Sequence, residues 1–216
     1  MFPKIKICCI SSLQEAQLAI KAGASALGLV GPMPSGPGVI GDQLISQIAQ
    51  ATPPPIATFL LTSETSIVKI IAHHQRTNTN TIQLVDYLKE GSYEDLRAAL
   101  PSVKLVQVIH VQDDSAIVQA QQIAPYVDAI LLDSGIPNAS TKILGGTGNT
   151  HNWAISAQLV KEVTKPVFLA GGIGPHNIRE AIEIVQPFGI DLCSKVRTNG
   201  QLDPIKLKQL FKAAYS

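Results

Sequence analysis

The sequence predicts a closed (β/α)8 barrel, the TIM-barrel class of α/β fold, as a single domain over residues 1–216. Three observations predict it. Apolar runs of strand length recur roughly every 20–30 residues. A helix-like segment follows each run, and this alternation joins parallel strands through crossover helices. Eight such units in 216 residues match a compact barrel, with an open doubly wound sheet as the alternative. No linker, low-complexity tract or charge run divides the chain.

The elements follow in order. IKICCI (5–10) is the first strand. SSLQEAQLAIKAG (11–23) then opens on a serine N-cap, carries Leu13, Ala16, Leu18 and Ile20, and ends at Gly23. ALGLVG (26–31) leads through the loop GPMPSGPG (31–38) into GDQLISQIAQA (41–51), which places Leu44, Ile45 and Ile48 on one face. After the stiff TPPP loop (52–55), PIATFLL (55–61) precedes TSETSIVKIIAHHQ (62–75), whose His73 and His74 read as a solvated helix face. TIQLV (81–85) pairs with SYEDLRAAL (92–100), and KLVQVIHV (104–111) with DDSAIVQAQQIAPY (113–126). VDAILLD (127–133) runs into GIPNASTKILGGTGNT (135–150), the longest loop and for that reason a functional candidate, then NWAISAQLVKEV (152–163). KPVFLAG (165–171) with PHNIREAIEIV (175–185), and GIDLCS (189–194) with DPIKLKQLFKAAY (203–215), complete the set. Several helices open on Ser, Thr, Asp or Pro, as helix starts should.

Composition narrows the function. A formal net charge of +1 argues against a general nucleic-acid binder. No stretch approaches the ~18 apolar residues of a membrane span, and the N-terminus lacks the apolar core of a signal peptide. The three cysteines have no CxxC spacing, so a reducing, cytoplasmic setting is the default. The expected partner is a small molecule, with the chain a monomer or homodimer.

In such a barrel the chemistry sits at the C-terminal ends of the strands. Those ends hold Cys8 and Cys9, His110, Asp133, and Asp191 with Cys193. Strand alternation puts Lys6 and Cys8 inward, and Ile5, Ile7 and Cys9 toward the helices. Cys8 is therefore the chemical candidate and Cys9 the filler, although a strand cysteine often serves only as a small hydrophobe. Asp133 ends a strongly apolar run and needs solvation, a partner or a catalytic task; a turn aspartate before Ser134 and Gly135 is the plainer alternative. Thiolate, imidazole and carboxylate are zinc ligands, yet none here is paired at ligand spacing within one element, so no metal and no cofactor is expected. GGTGNT (145–150) and LAGGIGP (169–175) precede helices, where glycine-rich backbone can hold a phosphate.

Together these residues resemble the phosphoribosylanthranilate isomerase family, essentially end to end. The family's K-I-C-G reads Lys6-Ile7-Cys8-Cys9, and its A-G-A-x-x-L-G matches Ala22 to Gly28. Q-L is Gln83-Leu84, and D-x-x-L-L-D-S is Asp128 to Ser134. G-G-T-G-x-T-x-x-W runs from Gly145 to Trp153, L-A-G-G-L-x-P-x-N-V from Leu169 to Ile178, and G-V-D-V-x-S lies near Gly189 to Ser194. The resemblance implies a (β/α)8 enzyme of tryptophan biosynthesis that performs an Amadori rearrangement of a sugar phosphate. It implies Cys8 as general base at C2′ and Asp133 as general acid at the ribose ring oxygen. Lys6 shares a face with Cys8 and would favour the thiolate, and burial among Ile130 to Leu132 would keep Asp133 protonated. Phosphate would sit at Gly171, Gly172 and Ser194, with Lys195, Lys6 and Asp191 completing the substrate-binding set.

The chain also departs from the family pattern. The glycine after the base is Cys9, and the S-P-R loop is PSGPGV, with no Arg or Lys between Lys21 and Lys69. Q-L-H-G becomes Gln83-Leu84-Val85-Asp86, and S-G-V-E becomes Ser194-Lys195-Val196-Arg197. Lys195 and Arg197 are thus expected as added cations flanking the phosphate. Three readings follow: the family isomerase, a paralogue acting on another sugar phosphate, and a non-catalytic phosphate-binding barrel.

Overall fold

The structure is a computed structural model describing residues 2–34, 36–135 and 151–216. Eight parallel strands close a barrel in sequential order: β1 (Lys4–Ile7), β2 (Ala26–Val30), β3 (Ala57–Thr62), β4 (Thr81–Leu84), β5 (Lys104–His110), β6 (Ala129–Asp133), β7 (Val167–Leu169) and β8 (Gly189–Leu192). The helices between and after them are α1 (Leu13–Ala22), α2 (Asp42–Ala51), α3 (Ile67–Thr77), α4 (Tyr93–Ala99), α5 (Ser115–Ile123), α6 (Trp153–Glu162), α7 (Ile178–Val185) and α8 (Pro204–Tyr215). A two-stranded hairpin of β9 (Arg197–Thr198) and β10 (Gln201–Leu202) lies between β8 and α8. No apolar alternation announces that hairpin in the sequence.

Local chemistry sets the helix ends. Ser12 caps α1 by accepting from the Glu15 N–H at 3.1 Å, and Gly23 ends it in the left-handed conformation (φ 113°). Asp203 caps α8, with Pro204 in its first turn.

Period-2 alternation divides the barrel's apolar residues into two cores. Ile5, Ile7, Leu27, Leu29, Leu60, Ile82, Leu84, Ile109, Ile130, Leu132 and Ile190 are buried between strands and helices. Burying each such side chain is worth about 1.5–3 kcal/mol, so this outer layer holds the helices in place. The barrel interior holds Ala26, Val30, Phe59, Leu61, Val85, Val106, Val108, Ala129, Leu131, Phe168 and Ala170. Small residues leave a cavity of about 700 Å³ at the N-terminal end, lined by Ala26, Ala57, Val106, Ala129, Phe168 and Phe188. The polar residues of the predicted site lie at or toward the other end. β1 closes on β8 in a register that sets Lys6 beside Asp191.

The predicted histidine face is corrected. His73 and His74 are buried. His73 bridges Thr62 and Asp42, each at 3.1 Å, and His74 meets the Thr79 carbonyl at 2.7 Å. These bonds tie α3 to β3, α2 and the turn before β4, so the helix is embedded on that side.

Candidate active site

The C-terminal mouth begins with β1. Lys6 is fully buried inside the barrel, a position a cation occupies only with a partner. Its Nζ donates to Asp191 Oδ1 at 2.8 Å and stands 5.2 Å from the centre of the Phe59 ring. Burial alone would favour losing the proton. The Asp191 carboxylate, with the Cys8 thiol behind it, reverses that and holds the ammonium above the ordinary lysine range.

Cys8 faces the same interior. An added Cβ at Gly28 of β2 would lie 2.7 Å from Cys8 Sγ and 3.0 Å from Lys6 Nζ. Thiol and ammonium therefore meet across a residue that has to be glycine. Gly28 is a site residue that sequence reasoning matched to a motif without giving it a task.

Cys9 corrects the sequence expectation that it faces the helices. β1 ends at Ile7, so strict alternation stops before it. Cys9 adopts φ 62°, joins the interior cluster and meets Cys193, sulfur to sulfur, at 2.6 Å. That shared hydrogen bond, a second with Cys8, and burial hold its thiol well above the usual range. Cys9 stays protonated and is no base at neutral pH.

Asp133 ends β6 in register with His110 at the end of β5. Burial is the largest influence on its carboxyl and pushes it up to about 6. The nearby Asp191 charge adds to that, while the Ser134 N–H, donating to Oδ1 at 2.7 Å, and the Lys6 ammonium pull against it. The result is a proton donor near neutrality. Burial lowers the His110 pKa, so the imidazole stays neutral to pH values below its ordinary range, and Nε2 lies 3.4 Å from the Val85 carbonyl. Gln83, on the inward face of β4, has a buried Oε1 without a partner among the described residues.

The loop after β7 carries Gly171 and Gly172 in left-handed conformations, φ 85° and 65°. Asn177 braces it, accepting from the Gly174 N–H at 2.8 Å and donating to the Gly172 carbonyl at 3.2 Å. Ser194 and Lys195 are exposed in the short 3-10 turn after β8. Lys195 packs so closely on Gly174 that an added Cβ there would lie 2.8 Å from its own Cβ. Lys195 thus stands against the glycine loop. The second expected cation does not. Arg197 turns away to Glu15 and to the carbonyls of Cys8 and Cys9. The GGTGNT stretch, 145–150, lies outside the described residues, as does Ser35 of PSGPG. Among the described residues, no three His, Cys, Asp or Glu side chains are arranged to hold a metal ion.

Fold and mouth together define a (β/α)8 barrel whose C-terminal end gathers a carboxyl, a thiol and a fixed cation. The chain belongs to the N-(5'phosphoribosyl)anthranilate (PRA) isomerase family, whose model matches residues 5–213. It is 34% identical over 206 residues to N-(5'-phosphoribosyl)anthranilate isomerase 2 of Methanosarcina mazei, covering 94% of this chain and 90% of the relative. It is also 34% identical to the N-(5'-phosphoribosyl)anthranilate isomerase of Nostoc punctiforme, covering 97% of both. The phosphoribosyl anthranilate isomerase structure from Thermotoga maritima superposes with a TM-score of 0.82 at 26% identity, covering 99% of this chain and 98% of the other.

Proposed function

We propose that the protein converts N-(5-phosphoribosyl)anthranilate to its 1-deoxyribulose phosphate isomer, with Cys8 as base and Asp133 as acid. One observation carries the assignment of roles. The buried Lys6 ammonium lies within electrostatic reach of both the Cys8 thiol and the Asp133 carboxyl, inside one end of one barrel. A carboxyl held near pH 6 can donate, and a thiolate beside a fixed cation can accept.

The steps balance. Asp133 gives its proton to the ribose ring oxygen as the C1′–O bond breaks, leaving the anthranilate nitrogen as a Schiff base. The Cys8 thiolate takes the C2′ proton, and the C2′–H electron pair forms the C1′=C2′ bond of the enolamine. Tautomerisation to the ketone leaves an isomer of the substrate, with one proton gained by Cys8 for the one given by Asp133. The phosphate rests on the Gly171–Gly172 backbone, Ser194 and Lys195, away from the bonds that change. Lys6 and Asp191 form the fixed charge pair beside the two reacting groups.

The test is turnover on freshly generated phosphoribosylanthranilate. Cys8→Ser and Asp133→Asn should each lower kcat by about 10²–10⁴-fold, the usual worth of a placed acid or base, and Cys9→Ser should keep activity. A folded, unmutated protein with no turnover would remove this assignment.

A further inference from the structure

Resting on that assignment of Cys8, we infer that Arg197 is a positioning residue for the base. It clamps the peptide turn from which the thiol projects.

Cys8 sits where regular strand bonding runs out. Its N–H still donates to the Leu192 carbonyl of β8 at 2.7 Å, and the Ile10 N–H donates to Gly28 at 3.0 Å. Between these two anchors the chain passes through Cys9 at φ 62°, a left-handed conformation that strains a residue with a Cβ. Space has been left for this turn. An added Cβ at Gly38 would lie 2.5 Å from the Cys9 Cβ.

Arg197 holds the turn from the carbonyl side. A single nitrogen, Nη2, donates to Cys9 O at 2.5 Å and Cys8 O at 3.2 Å. Nη1 reaches the Gly200 carbonyl at 3.0 Å, and the planar fork meets Glu15 at 2.9–3.2 Å. Glu15 is held in turn, accepting from Ser11 N–H at 3.0 Å and Leu202 N–H at 2.7 Å. Both side chains are largely buried, 8% and 11% exposed, so water competes weakly for these bonds. The guanidinium thus fastens the β9–β10 hairpin and the start of α1 to the two carbonyls following the base. With β8 fixing the N–H of Cys8 and Arg197 its carbonyl, the thiol is aimed at the gap over Gly28.

Removing the clamp should act on chemistry rather than on binding, because Cys8 meets only the proton being removed. A displacement of about 1 Å costs on the order of 100-fold in rate. Arg197→Met in the full chain should therefore lower kcat about 100-fold with KM changed little. Arg197→Lys, which keeps a buried cation and a donor, should fall between it and the parent. Adding Cys9→Gly to Arg197→Met should recover most of the loss, since glycine adopts the left-handed turn without strain. Iodoacetamide labelling of Cys8, located by mass spectrometry, gives a readout independent of substrate. Its rate at fixed pH should change several-fold in Arg197→Met and return in the double variant. If Arg197→Met does not fold, the Arg197→Lys comparison with and without Cys9→Gly carries the test. Unchanged kcat and labelling in a folded Arg197 variant would overturn the inference, as would a loss confined to KM or one that Cys9→Gly leaves untouched. An inactive parent whose labelling still responds would remove the assigned reaction and leave the clamp standing.

Discussion

Asp133 is under two opposed demands. Its burial at the end of β6 keeps a proton available near pH 6, and the same burial makes its ionised form costly to the fold. The folded state binds this proton more tightly than the unfolded chain, whose carboxyl titrates near 3.8. Its contribution is therefore best below about pH 4, declines as pH rises through about 6, and is level beyond that. At pH 7–8 Asp133→Asn should stabilise the protein by roughly 2 kcal/mol while lowering kcat by about 10²–10⁴-fold. Thermal melts of both proteins at pH 4 and pH 8 check this: the gap should open only at the higher pH, and a gap of equal size at both would show that ionisation is not its source. In kcat/KM, activity that depends on the protonated acid should decline as pH rises through about 6.

At the scale of the element, β1 and β2 work as one unit. Gly28 leaves the space in which Cys8 and Lys6 meet, and it belongs to a strand whose other inward residues are apolar. Gly28→Ala should displace the thiol or the ammonium, because the new methyl would lie 2.7 Å and 3.0 Å from them. We expect a loss of kcat of at least about tenfold, with a stability cost of about 1–3 kcal/mol from overpacking. Normal kinetics in a folded Gly28→Ala protein would show that the gap is dispensable.

The same unit shows what the sequence could and could not reveal. All eight strands were legible from apolar runs and all eight helices from their spacing and caps, because a barrel repeats one local pattern. Cys8 was legible because alternation from Ile5 reaches it. Cys9 was not, because regular strand bonding ends with the Cys8 N–H, and a positive φ on cysteine leaves no mark in composition. His73 and His74 were misread because two adjacent polar residues on a helix look solvated until β3 and the turn before β4 provide partners. Arg197 was read by charge and motif position; only the hairpin that carries it shows that it serves Cys8 and Cys9 rather than a phosphate.

At the scale of the molecule, the barrel closes on an ion pair. Lys6 and Asp191 lie 185 positions apart in the chain and meet inside it at 2.8 Å. Cutting one partner leaves a buried, unmatched charge. Asp191→Asn should therefore cost about 3–5 kcal/mol, whereas replacing both residues with apolar ones should be far milder on stability and still abolish turnover. Urea denaturation of the single and double variants checks this, and equal destabilisation in both would mean the pair is not what the interior depends on.

That closure carries a consequence for how the protein comes into being. A chain is made from its first residue onward, and β8 is the last of the barrel strands to be made. Cys8 and Lys6 are made before any later strand, but the carboxylate that neutralises the Lys6 ammonium, and Ser194, Lys195 and Arg197 beyond it, all follow β7 in the chain. A nascent chain that has completed seven strands holds an unpaired lysine on β1 and an open seam. It has neither a finished core nor a complete mouth until β8 arrives, so the mouth and the closed barrel come into being together.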